Sequence, residues 1–286
     1  MEPHLRIIDS HAHIWDLDQL DYPWLTSEAG LLYRTFDERE LRQQLDSSGI
    51  HEAILVQAAN STVETDYLLR VAARSSVVTG VVGWVPLEHP VDAGDALGRA
   101  SRDPLLVGVR HLNHDEPDPE WLLTDRVVES LGLAAALGVP LDVVATGTSR
   151  LRSIAALSER LPDLRIVVDH LGGPPVGTED WADWKDLITD ISANRNVSAK
   201  LSGLTTRRLP GPVSDEDLQH CVAVALEVFG PARLMYGGDW PVSLLASDYA
   251  TLWARMRWAL RGLDEPELGL VLGGTARSFY GLRTGD

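Results

Sequence analysis

This sequence predicts an α/β fold built as a single (β/α)₈ TIM barrel. Eight short apolar, β-branched runs recur along it, a helix-like pattern follows each run, and 286 residues is an ordinary length for one such barrel. A doubly wound sheet with fewer true strands is the competing architecture.

In chain order, the first run spans residues 6–9 and passes directly into Ser10-His11-Ala12-His13. An irregular, aromatic-rich loop follows over 14–36, carrying Trp15, Tyr22-Pro23-Trp24 and Leu31-Leu32-Tyr33. A loop that long in a compact domain serves as a lid or rim, or as an aromatic plug over the barrel. Further strands are expected at 52–57, 79–85, 106–112, 139–144, 165–170, 197–201 and 233–239. Helices are expected at 37–48, 63–74, 91–100, 121–137, 149–161, 179–192, 214–229 and 247–263, with another near 265–280. Acidic residues in Ser214-Asp215-Glu216-Asp217 mark a helix start, and Gly138 and Gly230 mark stops. No Pro-, Gly- and Ser-rich linker interrupts this series, so residues 1–286 are expected to form one domain.

Composition narrows the function. Hydrophobic residues make up 44% and charged residues 23%, a globular balance. A formal charge of −17 opposes binding to nucleic acid or an anionic membrane, since phosphate would be repelled rather than drawn in. Met1-Glu2-Pro3-His4 is not a basic segment leading into an apolar one, and no run of about 20 apolar residues occurs, so a cytoplasmic protein is expected. Cys221 is the only cysteine, which rules out an intrachain disulfide and a cysteine metal cluster. Lys185 and Lys200 are the only lysines among many arginines.

Barrel chemistry sits at the carboxyl ends of the strands, and polar residues collect there. Alternation with a period of two places Ile7, Asp9, His11 and His13 on one face. Imidazole is the commonest transition-metal ligand, although the pair by itself is as readily two packed histidines. Alternation also groups Ile166 and Val168 with His170, and Met235 and Gly237 with Asp239, which turns His170 and Asp239 inward beside His11 and His13. Arg110 and His111 lie on opposite faces of one strand, so only one faces the pocket, and Arg110 is the choice. Lys200 ends a strand as well. Trp15, Trp84 and Trp240 fall at or just past strand ends, where an indole either stacks on the C–H side of a sugar ring or belongs to the core. His114-Asp115-Glu116 forms a polar loop after the fourth strand that either reaches ligand hydroxyls or, the favoured reading, is a solvated turn, and His4, His51, His89 and His220 receive no role.

A first strand ending His-x-His, a histidine closing Val167-Val168-Asp169-His170-Leu171-Gly172, and an aspartate within Tyr236-Gly237-Gly238-Asp239-Trp240-Pro241 together resemble the amidohydrolase superfamily. Four stretches are most similar to its amidohydrolase-related branch of sugar-acid lactonases and 2-pyrone-4,6-dicarboxylate lactonase. They are Asp9-Ser10-His11-Ala12-His13-Ile14-Trp15-Asp16, Gly108-Val109-Arg110-His111-Leu112, Lys200-Leu201-Ser202-Gly203 and Gly238-Asp239-Trp240-Pro241-Val242.

The resemblance implies hydrolysis of a sugar-acid lactone. Asp239 would be the general base, and His11, His13 and His170 would polarise the carbonyl directly or through an ion. Arg110, Lys200, His111, Trp15, Trp84 and Trp240 would contact substrate, although Arg110 is as readily a salt-bridged barrel residue and Lys200 a snorkelling rim residue. Superfamily members with two metal ions carry a bridging carboxylated lysine or glutamate at the end of strand four or nearby, where this chain has Arg110 and His111. The implied site therefore holds one divalent ion, zinc or manganese, on His11, His13, His170 and Asp239, or none, with no organic cofactor. The only partner expected is a small-molecule lactone, bound by a monomer or small homo-oligomer. The rival readings are non-oxidative decarboxylation of a small aromatic or unsaturated acid, as in a neighbouring branch, and a barrel that binds ligand without turnover.

Overall fold

The structure, a computed structural model, describes residues 6–206 and 212–283, so the Met1-Glu2-Pro3-His4 stretch lies outside it. Eight strands form one sheet in sequential order: β1 (Ile8–Ala12), β2 (Glu52–Val56), β3 (Val78–Gly83), β4 (Leu106–His111), β5 (Leu141–Val144), β6 (Ile166–Asp169), β7 (Val197–Leu201) and β8 (Leu234–Tyr236). Every neighbouring pair is parallel. The sheet curls into a nearly closed barrel, and backbone bonds just past the strand ends bridge the β8–β1 seam. Asp239 N–H donates to the His11 carbonyl and His13 N–H to the Trp240 carbonyl, each at 2.7 Å. Sequential order with a closing seam is a TIM barrel, not a doubly wound sheet. Among the described residues no helix is long and apolar enough to cross a membrane.

Eight helices alternate with the strands: α1 (Glu38–Ser48), α2 (Thr62–Ala72), α3 (Pro90–Ala100), α4 (Asp125–Ala136), α5 (Thr148–Arg160), α6 (Trp181–Ala193), α7 (Asp215–Phe229) and α8 (Tyr249–Ala259). The Asp37 side chain caps α1 by accepting from Glu40 N–H, Gly49 ends it at φ 67°, and Leu41 and Leu45 form its buried face. Ser214 and Asp217 cap α7 reciprocally, and Leu218, Cys221, Val222, Ala225 and Phe229 are buried at helical spacing. Two expected helices are broken. Residues 121–137 open with a 3₁₀ turn, Trp121–Leu123, before α4 begins. Residues 265–280 divide into α9 (Glu265–Gly269), a π turn over Leu270–Gly274 and α10 (Thr275–Tyr280).

The barrel interior is layered. Toward the strand starts, Ile8, Ile54, Val56, Val82, Val107, Val167 and Met235 cluster with Ala276, Phe279, Tyr280 and Leu282, so α10 and the residues after it plug that end. Above this apolar layer the interior is polar, with His11, Asp142, Asp169 and Lys200 all fully buried.

This layering corrects two alternation expectations. Val167 belongs to the interior cluster and Ile166 and Val168 do not, so Asp169 points inward and His170 is on the wrong parity. His170 reaches the pocket because the strand stops at Asp169 and the chain turns at φ 54°. On β1, Ile8 faces inward and the pairing register with β2 shifts between Asp9 and Ala12. Asp9 therefore leaves the face of His11 and His13 and enters the seam. There its carboxylate accepts from Gly238 N–H at 2.8 Å, His11 N–H at 3.0 Å and the Tyr249 hydroxyl at 2.6 Å. Burial pushes its pKa up to about 6 against those bonds.

Gly237 is where seam and site meet: a Cβ there would lie 2.6 Å from the Cβ of His11 and 2.9 Å from that of Ser202. Gly237→Ala is expected to cost about 1–3 kcal/mol through overpacking, read as a lowered urea midpoint at unchanged slope. A midpoint equal to wild type would show that the seam has slack.

Candidate active site

A cavity of about 490 Å³ opens at the strand ends. His13, His170, Asp239 and Arg110 line it together with Trp15, Trp24, Leu112, His114, Val144 and Thr146.

The histidines are oriented from behind. His13 Nδ1 lies 2.7 Å from the Val56 carbonyl, which only accepts, so Nδ1 carries the proton. Its Nε2 faces Asp239 Oδ1 at 3.5 Å. His11 Nδ1 faces Lys200 Nζ at 3.1 Å and Asp169 Oδ1 at 3.3 Å. That directs His11 Nε2 toward Asp239 Oδ1 at 3.7 Å, and this buried nitrogen has no hydrogen-bond partner. His170 Nδ1 sits 2.8 Å from Ser202 Oγ. Burial holds the pKa of His11 well below its ordinary value and lowers that of His170, which favours the neutral ring at both.

His170 and Asp239 both occupy left-handed backbone, at φ 54° and 52°. For residues with a Cβ this strain of order 1–3 kcal/mol persists only where surroundings enforce it. Gly203 makes room for both: a Cβ there would lie 2.6 Å from His170 Nδ1 and 3.0 Å from Asp239 Oδ2.

Ligand atoms of His11, His170 and Asp239 all lie within 4.8 Å of one another. The unpartnered Nε2 of His11 and the Nε2 of His13 both face one carboxylate oxygen, an arrangement that a shared cation would satisfy. The donor set therefore fits a divalent metal ion.

Beneath the cavity lies an ionic layer. Asp169 Oδ2 accepts from Arg110 Nε at 2.8 Å, while its Oδ1 lies 3.2 Å from Lys200 Nζ. Lys200 also pairs with Asp142, whose carboxylate accepts from the Tyr280 hydroxyl at 2.8 Å. Burial alone would raise Asp169, but Lys200, His11 and Arg110 outweigh it and hold its pKa well below the carboxylate range. Asp142 lacks the second cation, and burial pushes it up to about 6 against the pull of Lys200.

Several expected substrate contacts are elsewhere. Lys200 is 0% exposed, sealed in the ionic layer below the cavity. His111 points outward, where its ring stacks on Trp121 at 4.1 Å, meets Glu116 at 2.9 Å and accepts from Trp84 Nε1 at 3.0 Å. Trp84 borders a separate groove beside α2 and α3. Trp240 is buried edge-on against Phe36, with ring centroids 5.4 Å apart. Arg110 and Trp15 do line the cavity, and so does His114 from the turn expected to be solvated. Asp142 and Asp169 carry a signal in the sequence, since a carboxylate inside an apolar strand needs a buried cation.

Imidazoles from β1, a histidine after β6 and an aspartate after β8 define a hydrolase centre of the barrel class. The chain belongs to the amidohydrolase family, whose sequence model matches residues 8–282. It is similar to an L-fucono-1,5-lactonase of Burkholderia ambifaria, 35% identical over 281 residues that cover 96% of this chain and 94% of the relative. A second L-fucono-1,5-lactonase, from Burkholderia multivorans, is 33% identical with 96% of each chain covered. The crystal structure of a Burkholderia multivorans amidohydrolase with bound zinc superposes with a TM-score of 0.88 at 30% identity, covering 97% of this chain and 100% of that one.

Lys200→Met removes the cation between two buried carboxylates and is expected to cost about 3–5 kcal/mol of folding free energy. Combining it with Asp142→Asn should restore a large part of that loss. Denaturant unfolding of the single and double variants checks both, and a single variant as stable as wild type would place Lys200 outside the structural core.

Proposed function

We propose that this protein is a single-domain cytoplasmic enzyme that hydrolyses the lactone ring of a sugar acid. A six-membered aldonolactone of the kind for which both curated relatives are named is the first substrate to test. The observation that carries the reading is Asp239, a carboxylate held in strained backbone on the cavity wall with imidazole nitrogens of His11 and His13 facing its Oδ1 at 3.7 and 3.5 Å.

In the proposed reaction Asp239 takes a proton from a water that attacks the lactone carbonyl carbon. Arg110, lining the cavity and anchored through Nε, offers its guanidinium to the developing oxyanion. Collapse breaks the bond to the ring oxygen, Asp239 returns the proton there, and one water has been added to give the hydroxy acid. His11, His13, His170 and Asp239 would hold a divalent ion, zinc or manganese. When bound, such an ion supplies Lewis-acid polarisation of a carbonyl. The Val56 carbonyl, Ser202 and the Lys200–Asp169 pair keep the three rings in place for either task.

Lactonase relatives that span nearly the whole chain favour this reading over decarboxylation and over binding without turnover. Asp239→Asn is expected to lower kcat on aldonolactones by about 10²–10⁴, followed by acid release with a pH indicator. Carbon dioxide release from small acids, with every lactone untouched, would overturn the proposal.

A further inference from the structure

The cavity walls combine apolar rings with polar groups, and one ring stands apart from the expected set. Trp24, on the segment between β1 and α1, lines the cavity and remains 38% exposed, whereas Trp15 and Trp240 are buried to 1% or less. Its orientation is fixed twice. Trp24 Nε1 donates to the Ala58 carbonyl at 2.6 Å, and its ring meets Trp15 edge to face at 5.5 Å and 88°. Trp15 is itself held, through Nε1 to the Arg34 carbonyl at 2.7 Å and against Phe36 at 5.4 Å.

Ala58 is anchored in turn. Glu64, 1% exposed on the first turn of α2, accepts from Ala58 N–H at 3.0 and 3.1 Å and from Ala59 N–H at 2.8 Å. Glu64 does not line the cavity. The Ala58 peptide, whose carbonyl holds the indole, joins its carboxylate to the cavity wall.

Resting on the lactonase reading, we propose that Trp24 is the platform on which the sugar ring of the lactone stacks, and that Glu64 is the positioning residue that sets it. An indole held rigid at a wet, partly apolar wall pairs with the C–H face of a pyranose-sized ring, while Arg110, His114 and Thr146 remain for its oxygens. The substrate class is thus an aldono-1,5-lactone with a continuous C–H face.

The test measures KM and kcat on aldonolactones, and calorimetric affinity for the product acids, in wild type and folded variants. Trp24→Ala is expected to raise KM about 10-fold while kcat stays within about twofold. Trp24→Phe keeps an aromatic face without the indole N–H and should fall between. Glu64→Gln should raise KM in the same sense, yet add nothing on top of Trp24→Ala in the double variant. Glu64→Asp, with the carboxylate withdrawn by one methylene, serves if the glutamine variant fails to fold. Wild-type KM in Trp24→Ala overturns the platform while leaving the lactonase reading intact, and additive effects overturn the role of Glu64. If wild type neither hydrolyses any lactone nor binds any of the acids, the lactonase reading falls and the platform with it.

Discussion

The carboxylate of Asp169 is the constraint on which the centre of this barrel depends. One oxygen takes Arg110 Nε, and the other faces both Lys200 and His11. Each buried ion would cost several kcal/mol in isolation, so the layer persists only because two cations meet two carboxylates at hydrogen-bonding distance. Arg110 balances Asp169, and Lys200 is shared between Asp169 and Asp142. The arrangement also fixes chemistry above it. With Nδ1 of His11 engaged below, Nε2 is the atom presented to Asp239, and the ring lies between those of His13 and His170. Through Asp142 the chain of contacts continues to Tyr280, so the plug at the strand starts and the site at the strand ends share one polar spine.

Two of the four central residues are held by backbone rather than by packing alone. β6 and β8 both stop short, and His170 and Asp239 follow in left-handed turns. For Asp239 the turn is enforced by the seam, because its own N–H donates to the His11 carbonyl while Trp240 accepts from His13. The bonds that bridge the barrel seam are therefore the bonds that set the distance between the β1 imidazoles and the carboxylate. Asp9 braces the same seam from the side, and Gly237 and Gly203 keep it free of side chains that would push the rings apart. Strain at the site is thus balanced by pairing that the fold requires anyway.

The fold was legible because a parallel barrel writes its pattern in apolar runs and helix signals, both local properties of sequence. The four central residues were legible for a related reason: polar residues at the ends of such runs have one place to go. What local pattern does not carry is parity across an irregularity. A register shift at Asp9 and a left-handed turn at His170 each reverse which face a side chain meets; no Gly or Pro marks the first, and Gly172-Gly173-Pro174 marks the second only as a chain turn, without saying where His170 points. Lys200 illustrates a second limit. Its position at a strand end suggested substrate, but the decisive fact is the pair of carboxylates, Asp142 and Asp169, delivered from two other strands. A charge flanked by apolar neighbours in its own strand has more need of a buried partner than of solvent. Trp24 shows the converse, since nothing in Tyr22-Pro23-Trp24 separates a core ring from one on the cavity wall. The distinction comes from Ala58, more than 30 residues away, whose carbonyl holds the indole edge-on while its ring stays partly exposed. Sites built from loops become readable only once the scaffold has fixed where those loops begin and end.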